Sequence, residues 1–200
     1  VLKNACGVGL LIPDTLITSR RNALLKFSQK HSHCIVTKGI RNGYYLEAND
    51  TRYYTHTIKL ELEIIRSYPE SFVPALFQEL LDKKYELRIF YLDEKCYSSV
   101  IFSQNDPKTR IDFRNYNREK PNRVCPFELP EEIVLKIINL MNELGFRTGS
   151  IDMVVTKKQE YYFLEINPVG QFKQVSIPCN YKLEKVIANK LLKSNERGSS

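Results

Sequence analysis

Residues 150–172 read SIDMVVTKKQEYYFLEINPVGQF. Two runs rich in β-branched and aromatic residues, SIDMVVT and EYYFLEIN, flank a polar turn in Lys157 to Glu160, the pattern of a β-hairpin. A two- or four-residue loop centred on that turn sets Asp152 opposite Glu165. Side chains two apart share a face of a strand, so Asn167 lies beside Glu165 on the same side. Directly opposed carboxylates repel and destabilise a sheet, and the pair asks for a cation. Two carboxylates and an amide carbonyl form an all-oxygen set that suits Mg2+ or Mn2+ and not zinc. Magnesium held by a few carboxylates completes its shell with phosphates and water. The hairpin therefore predicts a nucleotide-phosphate metal site at a strand end. From spacing alone, Asp152 and Glu165 read as readily as unrelated surface carboxylates. The apolar flanks, Met153 to Val155 and Tyr161 to Ile166, favour a partly buried, functional pair.

Upstream of the hairpin, Pro130 opens a helix over about 130–144, with Glu131 and Glu132 at the positive end of its dipole and Gly145 as its stop. Ile133, Val134, Ile137, Ile138, Met141 and Leu144 fall on one face. YELRIFYLDEKCYSSVIF (85–102) alternates as a hairpin around Asp93-Glu94, and GYYLEANDTRYYTHTI (43–58) as another around Ala48 to Asp50. Residues 34–40, CIVTKGI, read as a strand. Thr18 or Ser19 is placed to cap a helix over 19–31. Residues 59–81 are mixed, ending in the apolar ALFQELL, and residues 104–127 are polar and irregular. Downstream, a helix over 181–193 turns Leu183, Val186, Ile187 and Leu191 inward, and SNERGSS reads as a disordered tail. Strands and helices come in clusters, which predicts an α+β chain with largely antiparallel sheets.

The chain has 200 residues, 42% of them hydrophobic and 26% charged, which supplies a real core in one large or two small units. A net charge of +7 favours an anionic partner. The basic residues are scattered, without a tract interleaved with aromatics, so a nucleic-acid partner is not expected. The cysteine count, five, is odd, and no pair has CxxC spacing. That argues against a disulfide framework and a zinc site and for a reducing, cytoplasmic setting. His31, His33 and His56 sit in polar surroundings. No transmembrane run or signal peptide is apparent, so no membrane partner is expected.

The block SIDMVV…YYFLEINPVGQFKQVSIPCNYKLEKVIANKLL resembles the C-terminal end of ATP-grasp ligases. It is most similar to the maturases of microviridin-like peptides (graspetides), and within those to the grasp-with-spasm group, through NPVGQF followed by Pro-Cys-Asn. Further upstream, IPDTLITS resembles the start of the ATP-grasp region, CIVTKGI its lysine-bearing strand, FQELLDKKYELRIF its nucleotide hinge and TRIDFR a substrate-side motif. The resemblance implies an ATP-grasp fold of two lobes enclosing the nucleotide site: 1–80, with a partial pre-ATP-grasp segment at 1–18, and 81–194, followed by a tail at 195–200. It implies that Lys38 contacts ATP phosphates, that Gln78, Glu79, Leu80 and Leu81 hold the adenine, and that Glu86 lies near ribose or phosphates. It implies that Arg88 stabilises the transferring phosphate, with Asp112 and Arg114 near the acyl phosphate and the incoming nucleophile. Asp152, Glu165 and Asn167 would bind two magnesium ions, or manganese.

The function implied is ATP-dependent ligation. A side-chain carboxylate of an acidic precursor peptide is activated as an acyl phosphate and joined to a hydroxyl or amine, as an ester or amide crosslink. A homodimer is left open. Alternatives are a RimK-like amino-acid ligase and a catalytically silent nucleotide-binding fragment. The second follows from the N-terminal α/β domain usual in the family, which nothing before IPDTLITS matches, so the chain is expected to be a fragment or a shortened form.

Overall fold

The computed structural model describes residues 1–40, 45–48, 51–54 and 56–197. In chain order the elements are α1 (Leu2–Gly7), β1 (Thr15–Arg20), α2 (Arg21–Lys30), β2 (Ile35–Lys38), β3 (Tyr45–Ala48), β4 (Thr51–Tyr54), β5 (Ile58–Leu60) and α3 (Leu62–Ser67). They continue as β6 (Ser71–Glu79), β7 (Lys83–Leu92), β8 (Lys95–Ile101), β9 (Val124–Phe127), α4 (Glu131–Glu143), β10 (Thr148–Thr156), β11 (Tyr161–Asn167), α5 (Lys173–Cys179) and α6 (Leu183–Arg197). This is the α+β class expected, with antiparallel pairing between all the named strands.

The chain divides into two compact units. One comprises Val1–Ile12, Lys83–Phe102 and Arg123–Ser200, the other Pro13–Asp82 and Ser103–Asn122. Besides Leu81 and Asp82, which stay with the second unit, two longer segments fall on the other side of the expected division after residue 80. Residues 1–12 join the first unit, where the Phe163 N–H donates to the Leu11 carbonyl at 2.8 Å. Residues 103–122 join the second, where the Asp112 carboxylate accepts the Thr57 N–H at 2.9 Å.

The first unit is built on a five-stranded sheet in the order β11-β10-β7-β8-β9. Alternation along β7 and β10 gives it two unlike faces. Leu87, Ile89 and Tyr91 with Ile151, Met153 and Val155 line the apolar face, packed with Ile133, Ile137, Leu140 and Met141 of α4 and Ala5 of α1. On the other face Phe90, Val175 and Leu183 form a smaller cluster with Phe172, Tyr181 and Ile187. The β7–β8 turn falls at Asp93-Glu94 as expected, both residues at positive φ. The primed turn geometry this implies matches strand twist.

The second unit has a four-stranded sheet in the order β1-β6-β2-β5. Leu24, Phe27, Ile35, Leu60, Ile65 and Phe77 make its core, with α2 and α3 on that side. The hairpin expected over 43–58 has its strands, paired from Tyr45↔Tyr54 to Ala48↔Thr51, and its turn residues Asn49 and Asp50 lie outside the described residues.

Several local expectations are corrected. The helix expected from residue 19 begins at Arg21, because TLITSR pairs with β6 and the Thr18 hydroxyl accepts the Arg20 N–H at 3.1 Å instead of capping a helix. Residues 124–127, read as loop, form β9; as the outermost strand it tolerates Pro126, whose missing N–H faces no further strand. Pro130 is the N-cap of α4, one position before the one expected. Helix α6 runs to Arg197, beyond the expected boundary at 194, and Leu191 is exposed, not inward. Residues 198–200 lie outside the described residues. All five cysteines are free. No helix among the described residues is long and apolar enough to cross a membrane.

Ile137 is fully buried at the centre of the larger core. Ile137→Ala is expected to cost about 2–5 kcal/mol of stability, the usual penalty for such a truncation. Urea denaturation followed by circular dichroism measures it, and a loss under about 0.5 kcal/mol, the scale of a surface substitution, would contradict this packing.

Candidate active site

Asp152 is paired with Glu165, and Ser150 with Asn167, in the β10–β11 ladder. The loop between the strands is not of the expected length. Thr156 donates its N–H to Glu160 at 3.0 Å, leaving a three-residue loop, Lys157 to Gln159, with Gln159 at φ 65°. The pairs near the turn, Val155↔Tyr161 to Met153↔Phe163, are shifted by one residue from expectation. A bulge at Leu164, which has no partner across the ladder, then restores the register before Asp152. An odd loop and one extra residue cancel, and the carboxylates meet.

Arg88 of β7 lies directly across from Asp152 on its other side, giving a row of Arg88, Asp152 and Glu165 across three strands of one face. Arg88 Nη1 donates to both Asp152 carboxylate oxygens at 2.6 Å, and Nη2 donates to Gln171 Oε1 at 3.3 Å. Arg88 and Asp152 are 6% and 8% exposed, so the pair is shielded from water and from screening salt. A second buried pair continues the face: Lys83 Nζ lies 2.9 Å from Glu86 Oε1. Lys84 is skipped in the β7–β10 pairing, and this shift turns Lys83 onto the side of Glu86. Lys83 and Gln171 escaped the sequence reading. The alternation of YELRIF stops short of Lys83, and no spacing rule links Gln171 to Arg88.

Asn167 ends β11 in an Asx turn, its Oδ1 accepting the Val169 N–H at 3.1 Å. An amide oxygen has two lone pairs, so this bond does not exhaust it. Glu165 and Asn167 are both half-buried. Among the described residues, Ser150 Oγ and Arg88 Nε are buried on the same face without a hydrogen-bond partner. Two carboxylates, one amide oxygen and two orphaned polar atoms on one face fit a hydrated divalent cation with an anionic ligand. Arg88 already offsets part of the carboxylate repulsion that the sequence had assigned wholly to a metal.

In the second unit, Lys38 lies across from Leu76, and Leu76 from Ile17, while Gln78 lies between Thr15 and Val36. These residues share the sheet face opposite the core. Gln78 is buried and donates from Nε2 to Thr15 Oγ1 at 3.0 Å. Glu79 lies on the other face. Its Oε1 accepts the Asp14 N–H at 2.8 Å, and its Oε2 is 3.9 Å from His31 Nδ1. Leu80 donates its N–H to the Cys34 carbonyl at 2.9 Å, and Leu81 follows before β7. Asp14 in turn pairs with Lys30 at 2.5 Å and His31 at 2.9 Å; the Lys30 ammonium, then the His31 ring, hold its carboxyl below the usual range against the opposing effect of burial.

Asp112 and Arg114 form a clasp in the same unit. Asp112 Oδ1 accepts Arg114 Nε at 2.9 Å and Oδ2 accepts Nη2 at 2.8 Å, a bidentate pair. Burial alone would raise the Asp112 pKa, but the Arg114 guanidinium and the Thr57 N–H outweigh it and hold the carboxyl well below the ordinary range.

No protein-family model and no curated protein matches the chain. Solved structures do. The macrocyclase MdnC of Microcystis aeruginosa MRC, determined with its precursor peptide MdnA, is 30% identical with a TM-score of 0.81, covering 96% of this chain and 58% of that one. A RiPP-associated ATP-grasp ligase of Chryseobacterium gregarium, determined with ADP and a leader and core peptide, is also 30% identical, with a TM-score of 0.74 over 86% of this chain and 51% of that one. The macrocyclase MdnB, at 24% identity and a TM-score of 0.71, shares the fold. The chain spans a little over half the length of MdnC and of the Chryseobacterium ligase.

The lowered Asp112 pKa makes a stability prediction. A carboxylate depressed on folding contributes stability above its unfolded pKa, about 3.9, and loses it as pH falls towards the folded value. Asp112→Asn should therefore destabilise the protein by about 1–3 kcal/mol at pH 7, the cost of losing charge-assisted hydrogen bonds at a buried carboxylate, with a smaller penalty below about pH 3.5. Chemical denaturation of both proteins across that range measures the difference; a penalty that does not vary with pH would contradict the clasp.

Proposed function

We propose, from the premise that this chain is an ATP-grasp ligase of the RiPP-associated kind, that it activates a peptide side-chain carboxylate with ATP and crosslinks it to a hydroxyl or amine in the same peptide. The observation that carries the reading is the row of Arg88, Asp152 and Glu165, with Asn167 beside it, on one face of the five-stranded sheet. The 30% identity to a macrocyclase solved with its precursor peptide and to a ligase solved with ADP and peptide supports it.

The carboxylate oxygen attacks the γ-phosphorus of ATP, the bond to the β–γ bridging oxygen breaks, and ADP leaves with an acyl phosphate remaining. The hydroxyl or amine then attacks the acyl carbon, loses its proton and expels phosphate. Asp152, Glu165 and the Asn167 amide oxygen would hold magnesium, two ions in this reading, with manganese a substitute; when bound, the metal neutralises phosphate charge. Arg88, positioned by Asp152, takes up charge on the transferring phosphoryl group. By the family resemblance, Lys38 contacts ATP phosphates. Gln78 to Leu81 hold the adenine. The Glu79 carboxylate serves that segment by tying it to Asp14, so the base contacts come from its backbone. Lys83 fixes Glu86 towards ribose or phosphates, and Asp112 fixes the Arg114 guanidinium near the acyl phosphate. The net charge of +7 suits an acidic precursor.

Mass spectrometry after incubation with ATP, Mg2+ and a candidate acidic precursor tests the reading. Loss of one water per crosslink is expected. A gain of amino-acid mass would instead indicate a RimK-like ligase, and nucleotide binding without any mass change a silent module. Asp152→Asn and Glu165→Gln should each lower ATP turnover at least about 100-fold, the scale of losing a charge-stabilising group, with the fold retained. A fully active Glu165→Gln protein would sink the metal assignment.

A further inference from the structure

Gln171 and Phe172 follow the metal-site strand without a reason that spacing can supply, and the structure provides one. Gly170, at φ +68°, brings the chain so close to Phe90 that an added Cβ would lie 3.1 Å from its ring. Phe172 packs on the same ring, centroids 5.8 Å apart. Gln171 is therefore clamped on both sides to Phe90, which sits two residues beyond Arg88 on the same strand and face. Its side chain meets the guanidinium, Oε1 accepting from Arg88 Nη2 at 3.3 Å and from Gln174 Nε2 at 3.5 Å.

The chemistry of this contact lies in what it leaves uncharged. Asp152 neutralises Arg88 through Nη1. If Asp152 also ligates a cation, part of its charge is drawn to the metal, and Arg88 needs a second hold that does not cancel its positive charge. A carboxylate at position 171 would bind the guanidinium more strongly and spend that charge. An amide holds it by a neutral hydrogen bond. We infer that Gln171 is a positioning residue that aims the Arg88 guanidinium while keeping its charge for the terminal phosphate of the bound nucleotide. The inference rests on the nucleotide reading above and adds to it the residue that sets Arg88.

Two near-isosteric changes separate positioning from structure. Gln171→Glu keeps the shape and strengthens the pairing, so the thermal midpoint should hold or rise. Gln171→Asn is neutral but too short to reach. The probes are Mg·AMP-PNP and Mg·ADP, with affinities from calorimetry. Gln171→Glu should weaken Mg·AMP-PNP about tenfold or more, since a new charge beside the guanidinium offsets its pull on the γ-phosphate, and should change Mg·ADP less than about threefold. Gln171→Asn should give a smaller loss with the same preference. A Gln171→Glu protein with unchanged affinity for both nucleotides, beside an Arg88→Gln protein that loses Mg·AMP-PNP, overturns the inference and leaves the function intact. A wild-type protein that binds neither nucleotide overturns both.

Discussion

The buried pairing of the Arg88 guanidinium with the Asp152 carboxylate is the constraint around which the polar face of the five-stranded sheet is arranged. Taking two charges out of water costs several kcal/mol per ion, and their attraction offsets this only with good geometry and satisfied neighbours. The sheet supplies the close approach but, among the described residues, leaves Arg88 Nε and Ser150 Oγ without a hydrogen-bond partner. Antiparallel register sets the two residues directly across from each other, and Asp152 receives Nη1 on both oxygens. Such a pair is weak evidence of a device for stability, because an apolar replacement commonly serves a core as well. Its presence beside a second carboxylate, Glu165, and two orphaned polar atoms is better explained by chemistry on that face.

The two faces of this sheet divide the labour. The apolar side packs α1 and α4 into the larger core and holds the strands in register. The other side carries Lys83, Glu86, Arg88 and Asp152 in buried ion pairs, and beside them lies the small cluster of Phe90, Val175 and Leu183. The segment after β11 joins these regions. Asn167 turns the chain, Gly170 lets it approach Phe90, and Phe172 anchors it there. The stretch from Asn167 to Phe172 thus ends one strand, covers another and reaches back to the central ion pair.

In the second unit the same economy recurs with different groups. Asp14, His31 and Glu79 form a polar knot on the core side of the sheet end, while Lys38 and Gln78 occupy the opposite face. A strand that alternates sides cannot aim Gln78 and Glu79 at one ligand through their side chains. Sequence resemblance had grouped them; the alternation separates their tasks into one residue facing outward and one bracing the segment from behind.

Much of the site could be read from the sequence, because two of its rules are local. Period-two alternation and a turn near 157–160 named the right carboxylate partners, although the observed pairing reaches them through an odd loop and a bulge, and the helix over 131–143 and the turn at Asp93-Glu94 followed from their own residues. The oxygen-only character of Asp152, Glu165 and Asn167 is likewise a matter of residue chemistry alone. What the sequence could not decide is everything that depends on which strands become neighbours. Arg88 reaches Asp152 across 64 residues of chain, and Gln171 reaches Arg88 across 83. The edge position that makes β9 a strand despite Pro126, the bulge that corrects an odd loop, and the face on which Glu79 lies arise from sheet order and register. Those are long-range properties, set when side chains distant in sequence compete for the same buried surface, and only the folded structure resolves that competition.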